Sequence, residues 1–404
     1  MLENYLALIM VVALVAIIAD SFVSRYPAMQ RQLYRLFFVL IYFLFLIRYY
    51  YGPDIWTYVP HYEKIVSPMT LWHHPQEASF EWGYDMFCSI LSRWGVSYWG
   101  MTAVITTLYF ASLVAIFHAL PKFRLLALAS VILLDYNMIY AQNRQLVAVA
   151  LFYFMVVCLT NRKYILSVIL GIGVVLFHKT GFIPVGLTLI GALLYHQRQS
   201  SLVYNILIAC LMIMMLIPVT SIVSPLLSAL PLPESYITSI EHHLLLGRQF
   251  QMIALIYLTI MIWLSVYHAE HKTKYGWIAI EALLGLIIIV GLYQYYYFLA
   301  RMRSYFAPFI IIYLIQFSIS REYKIHIPYM SLISQGLVVL FFLYNVHTTR
   351  RYIQEGRQMK SHILEACTVF DLRHQSEKQI RDRQLKKAEI FWTQDYRKGD
   401  QNKL

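Results

Sequence analysis

The sequence predicts an all-α polytopic membrane protein of about twelve transmembrane helices, with a periplasmic in-plane helix and a helical C-terminal tail. Three observations carry that expectation. The 404 residues are 59% hydrophobic and only 13% charged, with mean hydropathy +0.57, outside the make-up of soluble domains. Apolar runs recur from Tyr5 to Val346, each near the ~20 residues that a helix needs to cross ~30 Å of hydrocarbon. Basic residues, finally, fall in alternate connections between those runs.

The elements follow in order. The first run, YLALIMVVALVAII, has no basic leading segment and no A-x-A-like cleavage pattern, so it reads as a retained helix. The second is apolar or aromatic from Leu33 to Ile47 except at Arg35, and it stops at Arg48. Gly52, Pro53 and Asp54 follow as a tight turn, because proline biases the residue before it away from helix. The segment FEWGYDMFCSILSRW carries Phe80, Tyr84, Phe87, Cys88 and Leu91 at 3.6-residue spacing and reads as an amphipathic helix in the interface plane. Later runs close at Asp135 and Asn137, restart through Gln142, Asn143, Arg144 and Gln145, and break tightly at His178 and Lys179. Another resumes after YQYYYFLA at Arg301 and Arg303. Glu281 follows Lys272, Lys274 and Trp277 and reads as structural. Residues 1–346 form one membrane domain. Residues 347–404 form a basic tail whose charges of both signs at helical spacing read as a helical appendage facing solvent or lipid headgroups.

The net charge of +12 must be read loop by loop. Arg25, Arg31 and Arg35, then Lys122 and Arg124, Arg162 and Lys163, Arg198, Lys272 and Lys274, and Arg321 and Lys324 mark the cytoplasmic connections. The segment from Arg48 to Gly95, the turns at Gln142 and His178, the Val219 to Gln249 loop and the Tyr293 to Arg303 stretch then face outside. Nucleic acid is not an expected partner. The four cysteines, Cys88, Cys158, Cys210 and Cys367, give no disulfide frame. The pairs His73 and His74, and His242 and His243, lack a third ligand at suitable spacing, so no metal is expected.

Charged residues at helix ends either anchor to the interface or serve a site. Arg48, Arg144, Arg301 and Arg303 all fall on the outward side, against the usual bias, and together invite an anion. Arginine suits phosphate because its planar fork stays charged and binds two oxygens at once. A pyrophosphate on a lipid would satisfy several of them. The outward carboxylates include Asp54, Glu63, Glu77, Glu81 and Asp85, and a base must reach the proton it takes. Asp54 and Glu81 are the best placed, with His178 at its turn, although Asp54 also fits a helix N-cap and His178 a structural histidine. Many of the 33 tyrosines sit at helix ends, where an interfacial belt accounts for most and sugar binding suits the rest. No Walker A, G-x-G-x-x-G, H-E-x-x-H or G-x-S-x-G pattern is present.

Arg48, YGPDIWTY, EWGYDMF, NRQLVAVALFYF, FHKTGFIPV and RMRSYF, in that order, resemble the motifs of the EpsG-like branch of O-antigen and exopolysaccharide polymerases, the Wzy type. In that family the second reads G-T-D-x-x-x-Y, the third E-x-G-Y and the fifth H-x-[ST]-[AG]. The likeness spans roughly Arg48 to Phe306. Pro53 replaces a threonine, and the long basic tail is a further departure. The resemblance implies a metal-independent, cofactor-free glycosyltransferase of the bacterial inner membrane with its site facing the periplasm. Its substrates would be undecaprenyl-pyrophosphate-linked oligosaccharides, and a flippase and a chain-length regulator are the implied partners besides membrane lipid. In this reading Arg48, Arg144, Arg301 and Arg303 hold the pyrophosphate; His178, Asp54 or Glu81 is the base; and Tyr58, Tyr62 and Tyr84 bind sugar. A flippase of lipid-linked oligosaccharide and an O-antigen ligase-like transferase are the alternatives.

Overall fold

The computed structural model describes residues 5–23, 26–50, 52, 54–118, 120, 123–196, 276–291, 296–319, 343 and 368–401. The described chain is helical, and its only β pairing is an isolated antiparallel bridge between Arg48 and Thr368. It divides into two compact units, residues 1–182 with 342–404, and residues 183–341.

In the first unit, α1 (Tyr5–Val23), α2 (Pro27–Leu46), α6 (Tyr98–Phe117), α7 (Arg124–Ala141), α8 (Asn143–Thr160) and α9 (Tyr164–Phe177) pack into a bundle. Of the described helices, α2, α6 and α8 are long and apolar enough to cross a membrane; Tyr164–Phe177, Val11–Asp20, Lys179–Ala192 and Ile280–Ile289 are shorter apolar stretches. The expected apolar runs between residues 197 and 275 and between residues 320 and 342 lie outside the described residues. Ile165, Ile169 and Ile172 on α9 and Leu36 and Val39 on α2 are exposed, the outward apolar surface that a helix offers to lipid. Inside, Asp20 ties three helices together, accepting from Gln30 Nε2 at 2.7 Å and from the Leu126 N–H at 3.2 Å.

Between α2 and α6 lie three short helices, α3 (Ile55–Glu63), α4 (Pro68–His73) and α5 (Trp82–Arg93). Local chemistry sets their ends. Pro27 and Pro68 occupy first-turn positions of α2 and α4, where a missing N–H costs nothing. Ser67 and Ser97 accept the Thr70 and Gly100 N–H groups and cap α4 and α6. Gly52, at φ 107°, provides the left-handed conformation that turns the chain into α3. Helix α5 follows the expected amphipathic segment and buries Tyr84, Asp85, Cys88 and Leu91.

The tail departs from the appendage expected of it. Thr368 pairs with Arg48, the Val369 N–H donates to Ile47 O at 2.9 Å, and α13 (Glu377–Gln401) lies against α3. Ile380, Gln384 and Ala388, one turn apart, form its buried stripe. Two polar clamps fasten it: Tyr50 donates to Glu377 at 3.1 Å, and Arg381 grips both Glu63 oxygens at 2.6 and 2.5 Å. Charge patterning makes a helix legible as exposed but does not reveal a partner surface in the same chain. Residues 368–401 therefore lie on the same side of the bundle as the α2–α6 connection.

In the second unit, α10 (Phe182–His196, whose first residue belongs to the first unit), α11 (Gly276–Gly291) and α12 (Tyr296–Ile319) include a buried hydrogen bond from Thr188 to Glu281 Oε2 at 2.9 Å. Glu281 Oε1 is buried without a hydrogen-bond partner among the described residues.

Candidate active site

Two helix breaks and one short helix assemble the polar centre of the first unit. Helices α7 and α8 meet at a single non-helical residue, Gln142, which places Arg144 in the first turn of α8. Helix α9 ends at His178, whose extended backbone leads into the 3-10 turn Lys179–Gly181. Glu81 precedes the first residue of α5. Its side chain does not cap that helix and turns instead to both breaks.

Arg144 Nη1 donates to Glu81 Oε2 at 2.6 Å. The other oxygen, Oε1, accepts the Lys179 N–H at 3.3 Å and lies 3.4 Å from His178 Nδ1. Arg144 Nε donates to the Tyr58 hydroxyl at 3.2 Å, and the guanidinium carbon stands 4.2 Å from the centre of the Phe80 ring. Glu81 is 7% exposed. Burial pushes its carboxyl up, but the adjoining His178 imidazole and the Arg144 guanidinium outweigh it and bring the group down to about 2. Burial, by contrast, raises the Tyr58 hydroxyl despite the nearby guanidinium, so Tyr58 stays protonated.

The E-W-G-Y stretch seats α5 against α9 through its glycine. A Cβ at Gly83 would meet Leu176 O at 2.8 Å, so glycine lets α5 approach α9 and carry Glu81 to His178. Tyr84 packs behind, with its ring 5.9 Å from that of Tyr58.

The other expected residues distribute as follows. Asp54 holds the N-cap position of α3, where its backbone O accepts the Thr57 and Tyr58 N–H groups, but its side chain makes no cap bond. Arg48, 5% exposed, donates to Ile139 O and, at 3.2 Å, to Thr106 Oγ1, binding the end of α2 to α7 and α6. Tyr58, Tyr62 and Tyr84 are buried, and Tyr62 donates to Val96 O at 2.7 Å. Arg301 and Arg303 are half-buried on α12 of the second unit. Pro53, Tyr293, His242 and His243 lie outside the described residues, as does the Val219 to Gln249 loop.

Sequence reasoning missed a second polar pair. His61 Nε2 stands 2.9 Å from Asp85 Oδ1, and Asp85 Oδ2 accepts the Phe80 N–H at 3.0 Å. His61 meets Phe80 edge-on at 4.4 Å between ring centres. The available signal was periodicity: His61 falls one turn after Tyr58 on α3, and Asp85 one turn after Glu81 on α5.

No curated protein and no solved structure matched the chain. The EpsG family model matches residues 32–355, well over half of the sequence, and covers α2, the α3–α5 connection, both helix breaks and α12. With that match over a membrane-helix frame, the chain belongs to the EpsG family, a family associated with glycosyltransferase-like polysaccharide polymerases.

Proposed function

We propose that this protein lengthens a polysaccharide by transferring glycan from an undecaprenyl-pyrophosphate-linked donor to a lipid-linked repeat-unit acceptor, at the periplasmic face of the bacterial inner membrane. One observation carries the reading. An arginine in the first turn of a membrane-length helix is held at a helix break by a buried glutamate and an aromatic wall. A helix N-terminus and a guanidinium both favour anionic oxygen. Pyrophosphate leaving from an anomeric carbon needs stabilisation of its charge more than it needs a proton.

In this mechanism Arg144 binds the donor pyrophosphate, while Arg48 ties the end of α2 to α6 and α7. Glu81 aims Arg144 and His178. A carboxyl held near pH 2 is a weak proton acceptor at neutral pH. That leaves deprotonation of the acceptor hydroxyl to an imidazole or to Asp54. Attack of the acceptor oxygen inverts the anomeric carbon, and Tyr58 and its aromatic neighbours line the sugar path.

The test is polymer ladder formation in a strain lacking the protein, complemented with variants at equal membrane level. Arg144→Ala should abolish the ladder and Arg144→Lys should shorten it, since an ammonium keeps charge without the fork. Wild-type ladders from Arg144→Ala would overturn the pyrophosphate role. A ladder that persists without the protein would overturn the polymerase reading itself.

A further inference from the structure

Beside the Arg144–Glu81 pair lies a cavity of about 480 Å³, lined by Thr57, Pro60, His61, Lys64, Phe80 and Asp85 among others. Its volume lies within the range of small-ligand sites, roughly 300–1,000 Å³, and its wall mixes an aromatic face with convergent polar groups, as sugar sites require. We infer that this cavity is the subsite for the acceptor sugar and that His61, oriented by Asp85, takes the proton from the acceptor hydroxyl. The inference rests on the polymerase reading above and assigns its second substrate and its base.

The geometry supports each part. Asp85 is 1% exposed, and its carboxylate is fixed from two directions, by His61 Nε2 at 2.9 Å and by the Phe80 N–H at 3.0 Å. With Nε2 against the Asp85 carboxylate at 2.9 Å, Nδ1 is the ring nitrogen that Asp85 does not engage. The ring is further held edge-on by Phe80 and stacked on Tyr84 at 20°. Phe80 joins the two sites. The Arg144 guanidinium carbon and the His61 ring both stand within 4.4 Å of the centre of that one ring. An acceptor in the cavity is therefore one aromatic side chain away from the arginine proposed to hold the donor.

The step balances. As the acceptor oxygen bonds to the donor anomeric carbon, its proton passes to His61 Nδ1. The bond from that carbon to the pyrophosphate oxygen breaks, and its electron pair leaves with undecaprenyl pyrophosphate. Asp85 stabilises the imidazolium, which then releases its proton to water.

The experiment uses the full-length protein in lipid nanodiscs, with lipid-linked repeat units extracted from a strain lacking it, and measures polymer formation, acceptor KM and Tm. His61→Ala should lower kcat by about 100-fold or more with little change in acceptor KM. Added imidazole should restore part of that rate. Asp85→Asn, a change to a positioning residue, should lower kcat by a smaller factor and escape imidazole rescue. Thr57→Trp, at an exposed rim position, should raise acceptor KM about tenfold at unchanged Tm. Wild-type kcat in His61→Ala overturns the inference. So does a loss in His61→Ala that tracks a fall in Tm while Thr57→Trp leaves acceptor KM unchanged. Absence of polymer from the wild-type protein itself would strike the polymerase reading instead, and the two failures are thereby distinct.

Discussion

Two arginine–glutamate pairs in the first unit have nearly equal lengths and opposite surroundings. Arg144 meets Glu81 at 2.6 Å among Tyr58, Phe80 and His178, whereas Arg381 meets Glu63 at 2.5 Å where the Glu63 side chain is 39% exposed. The exposed pair has the better geometry, since both Glu63 oxygens are engaged. Water nevertheless competes for that pair and screens it, while a buried charge left unpaired has no such substitute. Geometry alone does not rank ion pairs; what surrounds them does. The first pair therefore organises a site, and the second only helps to lay the tail on α3.

Breaking the buried pair should have the largest effect. Glu81→Ala leaves Arg144 with an uncompensated charge and should cost roughly 3 kcal/mol, read as a fall in Tm, together with loss of polymer. A variant as stable as wild type would remove the distinction drawn between the two pairs. Next comes Gly83→Ala. Its Cβ would stand 2.8 Å from Leu176 O, so α5 and α9 must separate, costing about 1–3 kcal/mol and shortening the ladder as Glu81 draws away from His178. An unchanged Tm in that variant would show that the two helices yield without strain.

Acid sharpens the contrast further. Glu81 has a folded-state value depressed from 4.5 to about 2, so its contribution to stability is in place above pH 4.5 and is lost as pH falls toward 2. Glu81→Gln should flatten that section of the Tm–pH profile. A profile that matches wild type would mean that the ion pair does not hold the proton off. The smallest effect belongs to the tail. Arg381→Ala should cost less than about 1 kcal/mol and leave the ladder intact, and its coupling to Glu63→Ala should fade in about 1 M salt. A coupling as large as that between Arg144 and Glu81 would contradict the comparison.

Much of this was legible one residue at a time. Arg144 and His178 stand where apolar runs break, and such breaks follow from local composition. Glu81 could be picked out as an outward carboxylate in an amphipathic segment, and Gly52 as the turn residue after α2. What each touches was not legible, because the contacts are long-range: Glu81 reaches 63 residues ahead to Arg144 and 98 to Lys179. Arg48 was readable as a helix-end cation, but its anchoring to Thr106 and Ile139 depends on how α6 and α7 pack. His61 shares a helix face with Tyr58, but that spacing does not reveal Asp85, 24 residues on, as its neighbour.

The sequence by itself determined that this is a membrane protein of helices, where those helices break, and which charges the breaks carry toward a surface. These properties are set by hydropathy and by proline, glycine and capping chemistry acting over a few residues. Only the tertiary structure decided which of those charges meet. It set Arg144 on Glu81, His61 on Asp85 and the tail on α3, because burial and charge pairing depend on distances in space that no local pattern specifies.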